Sequence, residues 1–280
     1  MIIAPIQTSK KESNYTYRTI TETQMEEEVN GNEIRLKSKA DMTTLLHIRK
    51  DSSNSYQFRT VYEKFNVDVD AGELKKNFSS NNAAQSLDPQ ERIFGAFNNA
   101  ELTARVAPDG KVISVEGLEK IRSDMYQLAK GDANAIQLIK TSLLNFANES
   151  NWKQSLEQIT KVFPDKAVKV GDQWMVNSNN VSDLGIEVPL TYSFTTVRNG
   201  VGTVLVKGKV DIEKKEVQMQ GYRVLLSLKG EQTGTIKVDL LTGMVNHSTS
   251  QFKATGTVTT LGQEIPLTLI TTNQTTGKMR

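Results

Sequence analysis

Apolar and polar residues alternate through most of the chain. Even positions from Ile34 to Ile48 read Ile34, Leu36, Ser38, Ala40, Met42, Thr44, Leu46 and Ile48, with Glu33, Arg35, Lys37, Lys39 and Asp41 between them. A period of two over this length predicts a long strand with one buried and one wet face. Asn30-Gly31 predicts a type I′ hairpin turn before it, with the stretch from Tyr15 to Val29 as its partner. A third strand carries Tyr56, Phe58, Thr60 and Tyr62, after which the apolar parity switches to Phe65, Val67 and Val69. That switch predicts a β-bulge near Glu63 and Lys64, which would bend the sheet. Further strands are predicted at residues 186–197, 203–212, 222–229, 234–241, 244–258 and 264–272, with Gly, Asn and Thr marking the turns.

The middle of the chain changes period. Asp88-Pro89 predicts a short helix with Asp as N-cap and Pro at the first helical position, burying Ile93, Phe94 and Phe97. Ala107-Pro108-Asp109-Gly110 predicts a hairpin. Three apolar stripes at helical spacing follow: Leu118, Ile121, Met125 and Leu128; Ile136, Ile139 and Leu143; Trp152, Leu156, Ile159 and Phe163, closed by Pro164. Stripes of this width pack on a sheet, and a sheet with an apolar face needs such a lid.

One short pattern recurs. Gly31-Asn32-Glu33-Ile34-Arg35-Leu36, Gly185-Ile186-Glu187-Val188-Pro189-Leu190 and Gly262-Gln263-Glu264-Ile265-Pro266-Leu267 each place a turn glycine, an outward Glu and two inward apolar residues. Val106-Ala107-Pro108-Asp109-Gly110-Lys111-Val112 resembles Asp239-Leu240-Leu241-Thr242-Gly243-Met244-Val245. Two related β-meanders separated by helices account for both. The expected class is α+β: a large bent antiparallel sheet from two meanders, with a helical insert packed on one face. The expected division is a flexible arm at 1–12, a first meander half with a short helix at 13–117, the insert at 118–163 and a second half at 164–280. Together they form one compact unit.

Composition narrows the class of function. At 280 residues, 37% hydrophobic and 24% charged, the chain is long and apolar enough for a folded core. A net charge of +2 leaves no electrostatic footprint for nucleic acid. No apolar run is long enough to span a membrane as a helix. Absence of cysteine removes disulfides, thiolate metal sites and cysteine nucleophiles. The opening MIIAPIQTSKKES lacks the basic region and apolar length of a secretion signal, so an export signal would belong to a native precursor.

Catalytic chemistry is thinly supplied. His47 and His247 are the only histidines, lie far apart in strand patterns, and read as surface residues rather than as ligands or bases. Asp68 and Asp70 share a strand face, where alternation with Val67 and Val69 makes them a solvated face; Glu26-Glu27-Glu28 reads the same way. Gly171-Asp172-Gln173-Trp174 is the best candidate for a special site, with Trp174 either lining a pocket or anchoring a strand start in the core. No phosphate loop, serine elbow or His-Glu-rich helix is written here, and no metal or cofactor is expected.

Phe163-Pro164-Asp165-Lys166-Ala167-Val168-Lys169-Val170-Gly171-Asp172-Gln173-Trp174 carries a family resemblance, together with Pro108-Asp109-Gly110-Lys111-Val112 and Val115-Glu116-Gly117. The chain resembles an uncharacterised exported family of Bacteroidetes-type bacteria, domain-of-unknown-function family 6263. The resemblance implies an exported protein of the cell envelope, periplasmic or at the surface, often lipid-anchored through an N-terminal cysteine that this chain lacks. The expected layout also resembles that of periplasmic lipoprotein carriers, at the level of fold only.

The expected function is non-catalytic binding or carriage of a hydrophobic small molecule or lipid. The alternative is a structural or protein-interaction module of the envelope without a small ligand, and an enzyme ranks last. A groove between helices and sheet would be lined by Met125, Leu143, Trp152, Leu156, Trp174 and Tyr192.

Overall fold

The computed structural model describes residues 12–29, 32–51, 55–81, 83–164, 166–181, 186–219, 222–260 and 262–280. The first half contributes β1 (Glu12–Val29), β2 (Asn32–Lys50), β3 (Tyr56–Ala71), β4 (Leu74–Ser79), a short helix α1 (Pro89–Arg92), β5 (Glu101–Val106) and β6 (Val112–Glu116). Helices α2 (Leu118–Ala129), α3 (Ala133–Thr141) and α4 (Glu149–Thr160) follow. The second half is β7 (Gln173–Val181), β8 (Ile186–Arg198), β9 (Val201–Met219), β10 (Tyr222–Asp239), β11 (Val245–Thr260) and β12 (Gln263–Met279).

All the strands join in one antiparallel sheet in the order β6-β5-β3-β2-β1-β12-β11-β10-β9-β8-β7, with β4 on the free length of β3. The first and last long strands, β1 and β12, meet at its centre, from Tyr15 opposite Met279 to Glu27 opposite Leu267. The predicted partner of β2 is confirmed: β1 and β2 pair out to Val29 opposite Asn32. The turn residues Asn30 and Gly31 lie outside the described residues, as do Gly185 and most of the N-terminal arm.

The parity switch in β3 is a bulge at the expected place. Thr43 faces Lys64 and Thr44 faces Tyr62, so Glu63 is the extra residue. It keeps Tyr56, Phe58, Thr60, Tyr62 and Phe65 on one face, all buried. Two other expectations need correcting. Residues 222–229 and 234–241 are not separate strands: β10 runs unbroken through Gly230 and Gly234. These glycines occupy inward positions where a Cβ would lie 2.5 Å from that of Ala254 and 2.7 Å from the Thr249 carbonyl, so close approach of β11, not a turn, selects them. Ile34, expected to be buried, is 49% exposed, because β2 extends past the reach of the layer that covers its inner face.

One face of the sheet is buried, in two lobes. Over the first half, α2 to α4 and the turns around α1 cover Phe65, Phe78 and Leu102 with Leu118, Ile121, Met125 and Ile139. Local caps set these helices: Asp88 accepts from the Gln90 amide, Asp132 from Ala135, and Asn148 from Ser150 and Asn151. Over the second half, every buried residue of the core except Val162, Phe163 and Val168 lies on a strand. There the inward side chains of neighbouring strands supply most of the core themselves. Between the lobes β1 and β12 carry paired polar side chains, Thr19 with Thr275, Thr21 with Asn273 and Thr23 with Thr271. No described helix is long and apolar enough to cross a membrane.

Candidate functional site

The six residues expected to line one groove are divided among three clusters. Met125 and Leu143 are fully buried beneath the helices of the first lobe. Leu156 joins a smaller cluster with Tyr15, Leu46 and Phe58, and Trp152 packs at the border of these two. Trp174 and Tyr192 belong to the second lobe. The structure thus unites Trp174 with Tyr192 and sets both apart from the other four. The third helical stripe divides as well: α4 ends at Thr160, and Phe163 beyond it turns into the second lobe.

The second lobe holds the more unusual chemistry. Its lid is the segment from Lys161 to Asp172, pinned to β8 by two backbone bonds: the Gly171 amide donates to the Phe194 carbonyl at 2.8 Å, and the Phe194 amide to the Asp172 carbonyl at 3.0 Å. The Asp172 carboxylate also accepts from the Lys169 amide at 2.9 Å, which rigidifies the Gly171-Asp172 turn. Pinned this way, Phe163 lies 5.8 Å from the Trp174 ring and 5.6 Å from Phe194, and Trp174 lies 5.8 Å from Tyr192. Burial pushes the Tyr192 hydroxyl up to about 12, so it stays protonated.

Among the described residues five buried polar side-chain atoms have no partner: Tyr15 Oη and Thr60 Oγ1 in the first half, and Trp174 Nε1, Gln232 Oε1 and Asn246 Oδ1 in the second. Gln232 is 5% exposed. Its nearest inward neighbours are Gly230 and Gly234 along β10, Gly208 across on β9 and Phe252 across on β11. A primary amide therefore stands on an apolar floor with glycine on three sides. Sequence reasoning missed it, although the parity of Leu226, Leu228, Gly230, Gln232, Gly234 and Ile236 already points it inward once the strand is read as continuous.

The opposite face is polar. His47 sits there, its Nδ1 2.7 Å from Asn14 Oδ1, and His247 sits three strands away on β11. Asp68 and Asp70 line a surface cavity of about 630 Å³. Asp70 pairs with Lys75 at 3.1 Å, and the hydrogen bond from that ammonium holds its carboxyl below the usual range. A second cavity of about 700 Å³ crosses β1, β12, β11, β10 and β9 between cross-strand rows of Thr, Gln and Lys side chains. None of the six expected residues lines either hollow. Among the described residues, no three His, Cys, Asp or Glu side chains gather as a metal site would require.

Residues 53–245 match the profile of a family of unknown function, DUF6263. The chain belongs to this family. The match to DUF6263 spans β3 through the start of β11 and so includes the helices, the lid and the Trp174 site. No curated protein matches the chain. Among solved structures, one of lipid–protein interactions in lipovitellin is similar over 98% of this chain and 26% of its own, at 8% identity and a TM-score of 0.49. The OccK7 (OpdD) structure from Pseudomonas aeruginosa aligns over 96% of this chain and 100% of its own, at 5% identity and a TM-score of 0.21. The autotransporter NalP translocator domain from Neisseria meningitidis aligns over 96% and 90%, at 8% identity and a TM-score of 0.17. The chain spans about a quarter of the lipovitellin chain it matches.

Proposed function

We propose that this member of the DUF6263 family is a non-catalytic binding protein of the cell envelope that holds a hydrophobic ligand with a polar end in its second lobe. The observation that carries the reading is the pair of unpartnered buried atoms, the Trp174 Nε1 donor and the Gln232 Oε1 acceptor, inside an otherwise apolar core. Buried polar groups are bonded as a rule, and an unbonded one costs about 1–3 kcal/mol. Any ligand oxygen can accept the Trp174 indole hydrogen and a ligand hydroxyl can donate to the Gln232 oxygen, while the apolar body replaces the contacts of the lid. Among the described residues, Val162, Phe163 and Val168 cover the lobe from outside the sheet, with Ile159 of α4 and Leu240 beyond β10 packed beside them.

The reading predicts that lipid-like material co-purifies with the folded protein and is seen by native mass spectrometry and solvent extraction. It also predicts that oleate shifts the tryptophan emission of the stripped protein, and that Trp174→Phe removes the shift. Stripped protein that shows no such shift, from a preparation in which no lipid is found, sinks the reading. The interaction-module alternative would then stand. The duplication belongs to the same proposal: the Gly31 and Gly185 motifs flank the first hairpin of each half, and the Gly110 and Gly243 motifs flank a later hairpin of each, which supports two copies of one meander.

A further inference from the structure

The two ends of the sheet are finished differently. At one end β6 is five residues long and its edge is capped: the Val112 amide donates to Glu157 Oε1 on α4 at 2.8 Å. The side edge formed by β4 carries Lys75 and Lys76. Short strands, side-chain caps and lysines are the usual guards against edge-to-edge pairing. At the other end, β7 has neither lysine nor side-chain cap, and its one irregularity, a register shift between Ser178 and Val181, leaves Gln173 to Ser178 regularly paired. Gln173-Trp174-Met175-Val176-Asn177-Ser178-Asn179-Asn180-Val181 contains no charged residue and no proline. Among the described residues its backbone pairs with β8, and no further backbone hydrogen bond is made along its outer edge. Met175 is 71% exposed beside this edge, and Val170, just before the strand, is 49% exposed.

We infer that β7 is a dimerisation edge, pairing antiparallel with β7 of a second copy about a two-fold axis near Met175 and continuing the sheet into the partner. A two-fold contact sets a strand against itself, so every charge on it would meet its own kind in some register. A strand of nine neutral residues meets no such penalty, and this self-compatibility favours a second copy over a foreign peptide. Pairing would satisfy the free backbone groups of the edge, which are obligatory hydrogen-bonding groups, bring the two Met175 side chains together, and join the inward rows that hold Trp174 and Val176. The inference stands apart from ligand binding: it uses the edge, not the interior.

Sedimentation velocity on the full chain over a range of concentrations should show a monomer–dimer equilibrium. Met175→Lys, at an exposed position, should weaken the dimer about tenfold or more by setting like charges against each other at the axis, with an unchanged circular dichroism spectrum. Hydrogen exchange on the unmodified protein should show β7 amides protected at high concentration and exposed on dilution, which does not depend on the variant folding. A chain that stays monomeric throughout, a dimer that survives Met175→Lys, or β7 amides protected only by an added foreign peptide each overturn the inference.

Discussion

The Trp152 indole donates its Nε1 hydrogen to the Tyr62 hydroxyl across 2.9 Å, tying α4 to β3 at the residue before the bulge. Tyr62 is 3% exposed, and burial pushes its hydroxyl up to about 12, with the Trp152 bond opposing that rise. Trp152→Phe strands this hydroxyl, so it should lower stability by about 1–3 kcal/mol. Tyr62→Phe removes both the need and the bond. The double variant should therefore sit close to Tyr62→Phe alone in urea unfolding, a coupling that simple loss of indole packing would not produce.

Glu63 is the bulge residue, and removing it has a defined geometric result. Without it, either Tyr62 and the residues before it or Phe65 and those after it must turn to the wet face. Both sets are core, with Phe58 and Phe65 fully buried. Deletion of Glu63 should abolish cooperative thermal unfolding, whereas Glu63→Ala should change the melting temperature little. A deletion variant that melts cooperatively near the parent temperature would show that the bulge can move along β3.

The bulge was legible in the sequence because it leaves a mark in apolar parity, and the Asp88-Pro89 helix start because capping is local. Elements shaped by distant neighbours were less legible. Gly230 and Gly234 read as a turn, yet they are inward strand positions that β11 approaches too closely for a side chain. The candidate groove mixed residues from separate lobes because helical and strand stripes show which side is buried, not which partner buries it. Leu143 and Trp174 look alike by pattern and sit in different cores. Gln232 was passed over because an isolated glutamine carries no signal until its strand parity is known.

Asp41 is a nearly buried carboxylate on the wet face, held by Arg18 through two bonds of 2.9 and 3.0 Å and by Lys64 at 3.1 Å. The Arg18 hydrogen bond, with Lys64 adding to it, holds its carboxyl below the usual range despite some burial. A free aspartate in the unfolded chain titrates near about 3.9. Between the folded and unfolded values the unfolded chain binds more protons, so this site contributes stability above about pH 4 and loses it as the pH falls through the lower folded value. Asp41→Asn should reduce stability at neutral pH and flatten its decline below about pH 4. Urea midpoints measured from neutral to acid pH check this, and a decline parallel to the parent would assign acid sensitivity to other carboxylates.

Gln232 separates stability from binding. Among the described residues its Oε1 has no partner and apolar neighbours surround it, an arrangement that disfavours the folded state. Leucine has similar bulk and no polar atoms, so Gln232→Leu should raise stability by on the order of 1 kcal/mol in urea unfolding. If the amide instead serves a bound polar group, the same change should lower the lipid that co-purifies and weaken the oleate response read from Trp174. Gain of stability with loss of binding is the signature of a residue kept for function at a cost to the fold. A variant that becomes less stable would mean that the amide supports the lobe. One that is more stable yet retains the same lipid would move the polar contact away from β10 and leave Trp174 Nε1 as the remaining donor to test.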